Sequence, residues 1–435
     1  MLSYVIRGTA FDSSDHDYPP RCHPHTRTRF LEELQMRIRD ASLGARIAWL
    51  RGAAGIGKSA IMQTLAETLA EARSPPFIFT TLFFSRPNKR SDPKKTFTTL
   101  AYGLAVLDFQ YCQYVGRRLA ADPTFLTKSL EEQFKCLFLV PFVDGHVKVG
   151  SQRWVVMLDG LDEIVDLIRD SIVHHADSMP FIWIIASRPE AHLKAPFARV
   201  EEETRGLWVL EIPMDSDESL LAVEVYLRAE FSKIRRNYSD LVPLSWPSEN
   251  DFLALTTASN GLFIFASTLA SYIADHDPVV RLRELIPLLS RHRTTVAELK
   301  KNPFAAIDLL YTTILSDIPV DTLFTTKMIL GHCLLGKVLG DESSITPREL
   351  YLSEICNLLG LEQHAAYASL RKLHSVLRLP TPKEAERQNI EFLHASFSDF
   401  LQDQNRSQSY HHQKTFPSPG NQRTMAKGFG NTCSR

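Results

Sequence analysis

The sequence predicts an α/β fold: a parallel sheet with helices on both faces, followed by a helical domain and a smaller mixed domain. Three observations predict it. Five apolar runs alternate with segments of helical spacing between residues 46 and 213. These runs are apolar at nearly every position rather than at alternate ones, as strands covered on both faces are. Beyond Pro213 such runs stop, and helical spacing continues to about residue 300. With 435 residues and 44% hydrophobic composition, the chain can build a large core in several packed units.

Residues 1–45 read as an N-terminal linker and lead-in helix. SSDHDYPPRCHPHTR has the Pro-, His-, Asp- and Ser-rich composition of an extended linker, and FLEELQMRIRD has helical spacing. RIAWLR (46–51) is the first strand and leads directly into a glycine-rich loop. IMQTLAETLAEA continues as a helix that SPP stops. PFIFTTLFFS (76–85), β-branched and aromatic, is the second strand. A charged loop, RPNKRSDPKK, and one long helical region over roughly residues 96–121 follow. RWVVMLDG (153–160), FIWIIASRP (181–189) and LWVLEIP (207–213) complete a core spanning 46–213.

Residues 214–300 read as a helical domain through SLLAVEVYLRAEFSKI, ENDFLALTTAS, GLFIFASTLASYIA and VVRLRELIPLL. Residues 301–402 read as a winged-helix domain. From Thr346 the order is helix, helix, short strand (VLRLP), polar turn (TPKEAERQN), strand (IEFLH) and helix (ASFSDFLQ). Residues 403–435 are polar, punctuated by Gly and Pro and without apolar periodicity, and read as a disordered or aberrant tail.

Bulk properties exclude several classes. A net charge of −1 argues against a wholesale polyanion binder. The six cysteines show no disulfide-framework or metal-pair spacing, which favours a reducing, cytoplasmic setting. The N-terminus lacks the basic start and long apolar run of a secretory signal. The longest apolar stretch, Gly261–Ala274, is too short to span a bilayer and suits a buried helix. Cys22, His23 and His25, with His16 nearby, lack a second ligand pair at structural-zinc distances.

GAAGIGKSAI (Gly52–Ile61) fits G-x-x-x-x-G-K-[ST] in full through Gly52, Gly57, Lys58 and Ser59. Glycines let backbone N–H groups converge on phosphate oxygens, and the following helix adds its N-terminal dipole. The cradle falls on Gly52, Gly55, Gly57, Lys58, Ser59 and Ala60, with Lys58 bridging the β- and γ-phosphates and the Ser59 hydroxyl ligating Mg2+. WVVMLDGLDE supplies the second half. Asp159, after five apolar residues, is carried from the core to the nucleotide edge, where it holds Mg2+ through water. Asp162 and Glu163 sit just beyond, where a carboxylate polarises the attacking water; spacing does not choose between them. IIASRP puts Ser187 and Arg188 at another strand end, where ligands of such sheets gather, and Arg188 is placed to read the γ-phosphate.

GAAGIGKS, LDGLDE and ASRP, followed by a helical region and a winged helix, resemble the NACHT subgroup of STAND P-loop NTPases. The small residue after Asp159, with Asp162 and Glu163 beyond it, is similar to that subgroup's form of the acidic motif. With PPRCHPHTR before the core, the layout is especially similar to fungal NACHT-domain proteins, and the resemblance covers about residues 7–402. It implies a signalling switch like the NOD-like receptors of innate immunity: closed with ADP, open or self-oligomeric with ATP, and reset by slow hydrolysis. FLHASFSDFL (Phe392–Leu401) resembles the winged-helix motif whose His contacts the ADP β-phosphate, a role that falls on His394. NGLF (Asn260–Phe263) opens a helix where relatives contact base and sugar, although many animal members have a proline where this chain has Phe263. In the family CHPHTR packs near the base, which makes Thr26 and Arg27 candidate contacts; the resembling proteins favour Gly at the position of His25.

ATP is favoured over GTP, because no Asn/Thr-Lys-x-Asp follows a strand; NKRS at 88–91 lacks the Asp. One rival is an AAA+-like turnover ATPase with a DNA-binding winged helix. Residues 346–401 hold six Lys/Arg against seven Asp/Glu, which is no basic footprint. A small-molecule kinase would need a substrate pocket and an Arg-rich lid, unlike the long helical tail. STAND proteins usually carry an effector domain before the core and repeats after it. The short lead-in and non-periodic end therefore also fit a truncated, non-signalling fragment of a NACHT receptor, its effector or repeat partners missing. The expected partners are the nucleotide and a second copy of the chain; no membrane is expected.

Overall fold

The five apolar runs pair as one parallel sheet. The computed structural model describes residues 1–14, 19–40, 46–72, 77–85, 92–150, 152–160, 164–175, 178–189, 197, 207–214, 216–275, 277–291, 304–335 and 350–411. In it, β1 (Ile47–Gly52), β2 (Phe77–Phe83), β3 (Arg153–Asp159), β4 (Phe181–Ser187) and β5 (Leu207–Ile212) lie in the order β2-β3-β4-β1-β5. Every neighbouring pair is parallel. The chain divides into two compact units, Met1–Ile307 and Asp308–Arg435.

The first unit has a core on each face of the sheet, because successive strand residues point to opposite sides. Trp49, Trp154, Val156, Leu158, Trp183 and Ile185 face one core. Ala48, Leu50, Val155, Met157, Ile184 and Ala186 face the other. The second face is covered by α1 (Thr28–Arg39) and α2 (Lys58–Glu71) through Phe30, Leu34, Ile38, Ile61, Leu65 and Leu69. The first face receives α3 (Thr96–Leu107), α4 (Phe109–Ala121) and a helical run containing α5 (Leu130–Phe134) and α6 (Val140–Val143). Phe134, Phe138 and Phe142 recur every four residues along that run, so they share one stripe. They meet Trp154, Phe181 and Trp183 at ring-centroid separations of 5.0 to 6.3 Å. After β3 comes α7 (Val165–His175).

Two expectations for this unit change. The region over 96–121 is two helices, not one. Asp108 ends α3, and its carboxylate accepts the Tyr111 N–H at 2.7 Å, which caps α4. The start of the chain is also more than a linker. Ile6 is buried in the first-face core, and its N–H donates to Thr99 Oγ1 at 2.9 Å. The Phe83 N–H donates to the Thr9 carbonyl, and the Phe11 N–H donates to Thr81 Oγ1, both at 2.9 Å. Residues 9–11 thus lie beside β2, an edge strand, and cover one backbone N–H of its outer side, at Phe83.

Four helices follow: α8 (Asp217–Asn237), α9 (Glu249–Ser259), α10 (Phe263–Ala274) and α11 (Pro278–Arg291). Ser216 and Ser248 cap the first two through the N–H groups of Ser219 and Asp251. The apolar stretch of the sequence becomes α10, with Ile264, Phe265, Leu269 and Ile273 buried. Among the described residues no helix is long and apolar enough to cross a membrane.

The second unit is entered along α12 (Ala305–Ser316), followed by α13 (Val320–Leu335), α14 (Leu352–Leu359), α15 (Gln363–Leu370), β6 (Leu377–Arg378), β7 (Glu391–Phe392) and α16 (Ala395–Gln402). β6 and β7 are antiparallel, with Leu377 opposite Phe392. Leu310, Tyr311, Ile314, Leu370, Leu377, Phe392, Phe397 and Phe400 are buried. The chain stays ordered past Gln402, contrary to the expected tail. α17 (Gln404–Ser407) is capped by Asp403, and Arg406 donates to both Asp308 carboxylate oxygens, at 3.0 and 2.6 Å. A paired fork of this kind fixes a polar segment that has no apolar stripe of its own. Residues 412–435 lie outside the described residues.

Candidate functional site

β1 ends at Gly52 and α2 begins at Lys58, so the glycine-rich loop joins a strand end to a helix start. Gly55 and Gly57 have φ of +78° and +102°, where a side chain is strained. At Gly55 there is no room for one either: a Cβ would lie 2.1 Å from Ile264 Cγ2. The cause is α10, which starts against the loop, with the Ile264 N–H donating to the Gly55 carbonyl at 3.0 Å.

Strand register brings the other candidates to the same edge. Arg51 is level with Ser187, and Asp159 is level with Ala186. Lys58 Nζ donates to the carbonyls of Gly52 and Ala53 at 2.8 and 2.9 Å. Burial lowers its pKa to about 8; the nearby Asp159 charge opposes that shift and the Arg188 charge adds to it. Asp159 is 8% exposed. Burial raises its pKa, against a hydrogen bond with the Ser59 side chain and the charge of Lys58. A carboxylate with an uncompensated desolvation penalty, set against a hydroxyl, is a hard-oxygen pair that fits a divalent cation such as Mg2+. Ala60 lies in the first turn of α2.

Ser187 accepts from Trp49 Nε1 at 2.9 Å and donates to the Arg188 carbonyl at 3.1 Å, which fixes the end of β4. The Arg188 side chain is exposed, yet its charge is felt at Lys58. Gly52, Gly55, Gly57, Lys58, Ser59, Asp159 and Arg188 therefore gather at one end of the sheet. Asp162 and Glu163 lie outside the described residues.

Thr26 and Arg27 are buried with protein partners. The Thr26 hydroxyl donates to the His23 carbonyl at 2.6 Å. Arg27 donates through Nη1 to Ser219 Oγ at 2.9 Å and through Nη2 to the Ile56 carbonyl at 3.0 Å. Its guanidinium stands 5.3 Å from the centroid of the Phe263 ring. A buried guanidinium needs acceptors, and here they come from the glycine loop and α8. Arg27 braces the loop, whereas the sequence pointed to a contact with the base. Cys22 is tied to α2, its N–H donating to Thr64 Oγ1 at 3.0 Å, and burial pushes its thiol up to about 11. Among the described residues no group of three or more His, Cys, Asp or Glu is placed to hold a metal.

Residues 25–188 match the family model described as Nephrocystin 3, N-terminal. The match opens two residues before Arg27 and closes on Arg188, so it encloses the glycine loop, Asp159 and the end of β4. The likeness to that family is carried by this segment, less than half of the chain. No curated protein matches the chain. Among solved structures, the chain is similar to a Walker-type ATPase of Pyrococcus abyssi at 14% identity, covering 88% of this chain and 98% of that one, with a TM-score of 0.37. It is similar to a STAND protein with a tetratricopeptide repeat sensor from Pyrococcus horikoshii at 13% identity and a TM-score of 0.42, covering 88% of this chain. The likeness spans only 43% of that longer protein. The ORC2 protein of Aeropyrum pernix, in ADPNP and ADP complexes, is similar at 12% identity and a TM-score of 0.36, over 90% of this chain and 96% of that one. These likenesses are too distant to bear on function.

Sequence reasoning missed the residues that back the glycine-rich loop from behind. Ser219, Phe263 and Ile264 belong to α8 and α10, far from the phosphate motif in the chain. Only the serine at the start of a predicted helix and the NGLF phrase signalled them. A Cβ at Gly57 would touch the Phe263 ring at 3.6 Å, so Phe263 lies beside the loop itself. Beyond the matched segment, His394 lies in the second unit as the N-cap of α16, its Nδ1 accepting the Ser396 N–H at 3.0 Å.

Proposed function

We propose that the chain is a nucleotide-dependent signalling switch of the NACHT/STAND type, binding ATP or ADP with Mg2+ and hydrolysing slowly. The supporting observation is the convergence of Lys58, Ser59 and Asp159 at one end of the sheet. In this reading the loop amides and the first turn of α2, Gly55 to Ala60, receive the phosphates. The Lys58 ammonium exchanges its two loop carbonyls for β- and γ-phosphate oxygens, and Arg188 adds a second positive charge from the end of β4. Ser59 and Asp159 hold Mg2+, which supplies charge neutralisation to the phosphates when bound. Asp162 or Glu163 orients the attacking water. His394 donates to the terminal phosphate of the diphosphate form, and the contact biases the switch only by its differential strength in the two states.

Self-association in the ATP state, effector or repeat partners and a cytoplasmic setting belong to the same reading. The six basic and seven acidic residues over 346–401 give no support to DNA as a partner. The deciding experiment is calorimetric titration of Lys58→Ala with MgADP and MgATP. Loss of a charge-assisted contact with the phosphates should weaken both by about a hundredfold. Wild-type affinity in that variant would overturn the assignment.

A further inference from the structure

The glycine-rich loop is held from outside by two groups that its motif does not contain. The Ile264 N–H at the start of α10 donates to the Gly55 carbonyl at 3.0 Å. Arg27 Nη2 donates to the next carbonyl, that of Ile56, also at 3.0 Å. The other end of the guanidinium is anchored on α8, where Nη1 donates to Ser219 Oγ at 2.9 Å. That hydroxyl gives its single proton to the Pro213 carbonyl at 2.7 Å, which leaves its oxygen to accept. Arg27 is 3% exposed, and the Phe263 and Phe30 ring centroids lie 5.3 and 5.9 Å from its guanidinium carbon. Its Nε is buried with no hydrogen-bond partner. Burying a guanidinium with one donor unmet is costly, so packing alone gives no reason for an arginine here.

A peptide group is planar and trans, so its carbonyl and its N–H point in opposite directions. Whatever holds the Ile56 carbonyl therefore also aims the Gly57 N–H. The glycines on either side of Ile56, at φ of +78° and +102°, give that peptide little stiffness of its own. We propose that Arg27 is a positioning residue for phosphate binding: by holding the Ile56 carbonyl on the outer side of the loop, it turns the Gly57 N–H inward, toward a phosphate oxygen. The inference rests on the reading of the loop as a phosphate cradle. It gives the segment ahead of the motif a part in the site without a contact to the ligand, and it makes Ser219 the anchor of that part.

The test uses the full chain and magnesium pyrophosphate, which has phosphates but no base. Ile56–Gly57 is the only Ile–Gly pair in the sequence. Carbonyl-labelled isoleucine combined with nitrogen-labelled glycine therefore gives one amide signal, that of Gly57, in a carbonyl-selected spectrum. In the wild type this signal should shift on saturation with magnesium pyrophosphate, a measurement that needs no buried variant to fold. In Arg27→Ala it should broaden or split as the peptide samples both orientations, and calorimetry should show about tenfold weaker binding of magnesium pyrophosphate and MgADP alike. Arg27→Lys, which keeps a donor for the Ile56 carbonyl, should recover most of that affinity. Ser219→Ala, which removes only the anchor, should weaken both ligands by about threefold. An unmoved wild-type signal at saturation overturns the positioning role. So does wild-type affinity for magnesium pyrophosphate in Arg27→Ala; if MgADP binding alone falls there, Arg27 serves the base instead. Wild-type affinity for magnesium pyrophosphate in Lys58→Ala overturns the cradle reading, whatever Arg27→Ala shows.

Discussion

Lys58 is half-buried and Arg27 is buried, and the surroundings of the two cations differ. The Lys58 ammonium rests on two loop carbonyls and feels Asp159, so an incoming phosphate can replace neutral acceptors with charged ones. The guanidinium of Arg27 is committed to Ser219 and Ile56, and burial lowers its pKa. The motif G-x-x-x-x-G-K-S singles out Lys58 as a candidate because the chemistry fixes residue types at fixed spacing. No such rule discloses Arg27, whose partners come from Ser219 on a distant helix. His25 offers a check at this scale. It is exposed and has φ of +64°, a backbone conformation that favours glycine. His25→Gly should raise unfolding stability by about 0.5–1 kcal/mol, read from urea melts. A lower midpoint would mean that the imidazole makes a contact worth more than the backbone strain.

Elements were legible in proportion to their apolar content. All five strands lie within a residue or three of their expected limits, because a strand covered on both faces must be apolar along its length. The break between α3 and α4 was not legible, since AVLDFQY contains neither glycine nor proline and the stop is made by one carboxylate. Asp108→Ala should therefore cost about 1 kcal/mol in chemical unfolding, the usual worth of an N-cap; an unchanged midpoint would show that packing alone sets the break. The helical run carrying Phe134, Phe138 and Phe142 fell in a stretch to which the sequence reading assigned no element. The run is made of short pieces with Pro141 inside it, and the partners of Phe138, Phe181 and Trp183, lie on a strand more than forty residues on. α17 was hidden for a different reason: it is held by the Arg406–Asp308 fork rather than by burial of apolar surface.

For the whole molecule, the phosphate loop lies in one compact unit and His394 in the other. The order of helices and short strands in the second unit was readable from turn residues, whereas the task of His394 came from resemblance and not from spacing. The switch reading predicts a size change. His394→Ala loaded with ATP should elute as a larger species than the ADP-loaded wild type in gel filtration with light scattering. Identical profiles for both proteins with either nucleotide would remove the switch and leave a nucleotide-binding domain.

The N-terminal residues along β2 bear on how the molecule is divided. The family match begins at residue 25, and a fragment cut there would look complete by its motif. Such a fragment would lose the backbone pairing at Thr9 and the buried Ile6. It would leave one more backbone N–H of the outer strand, at Phe83, open to strand addition by an extended peptide. The residues from Ile6 to Phe11 thus belong to the folded unit, sealing the rim of the sheet at Phe83 and adding Ile6 to its core.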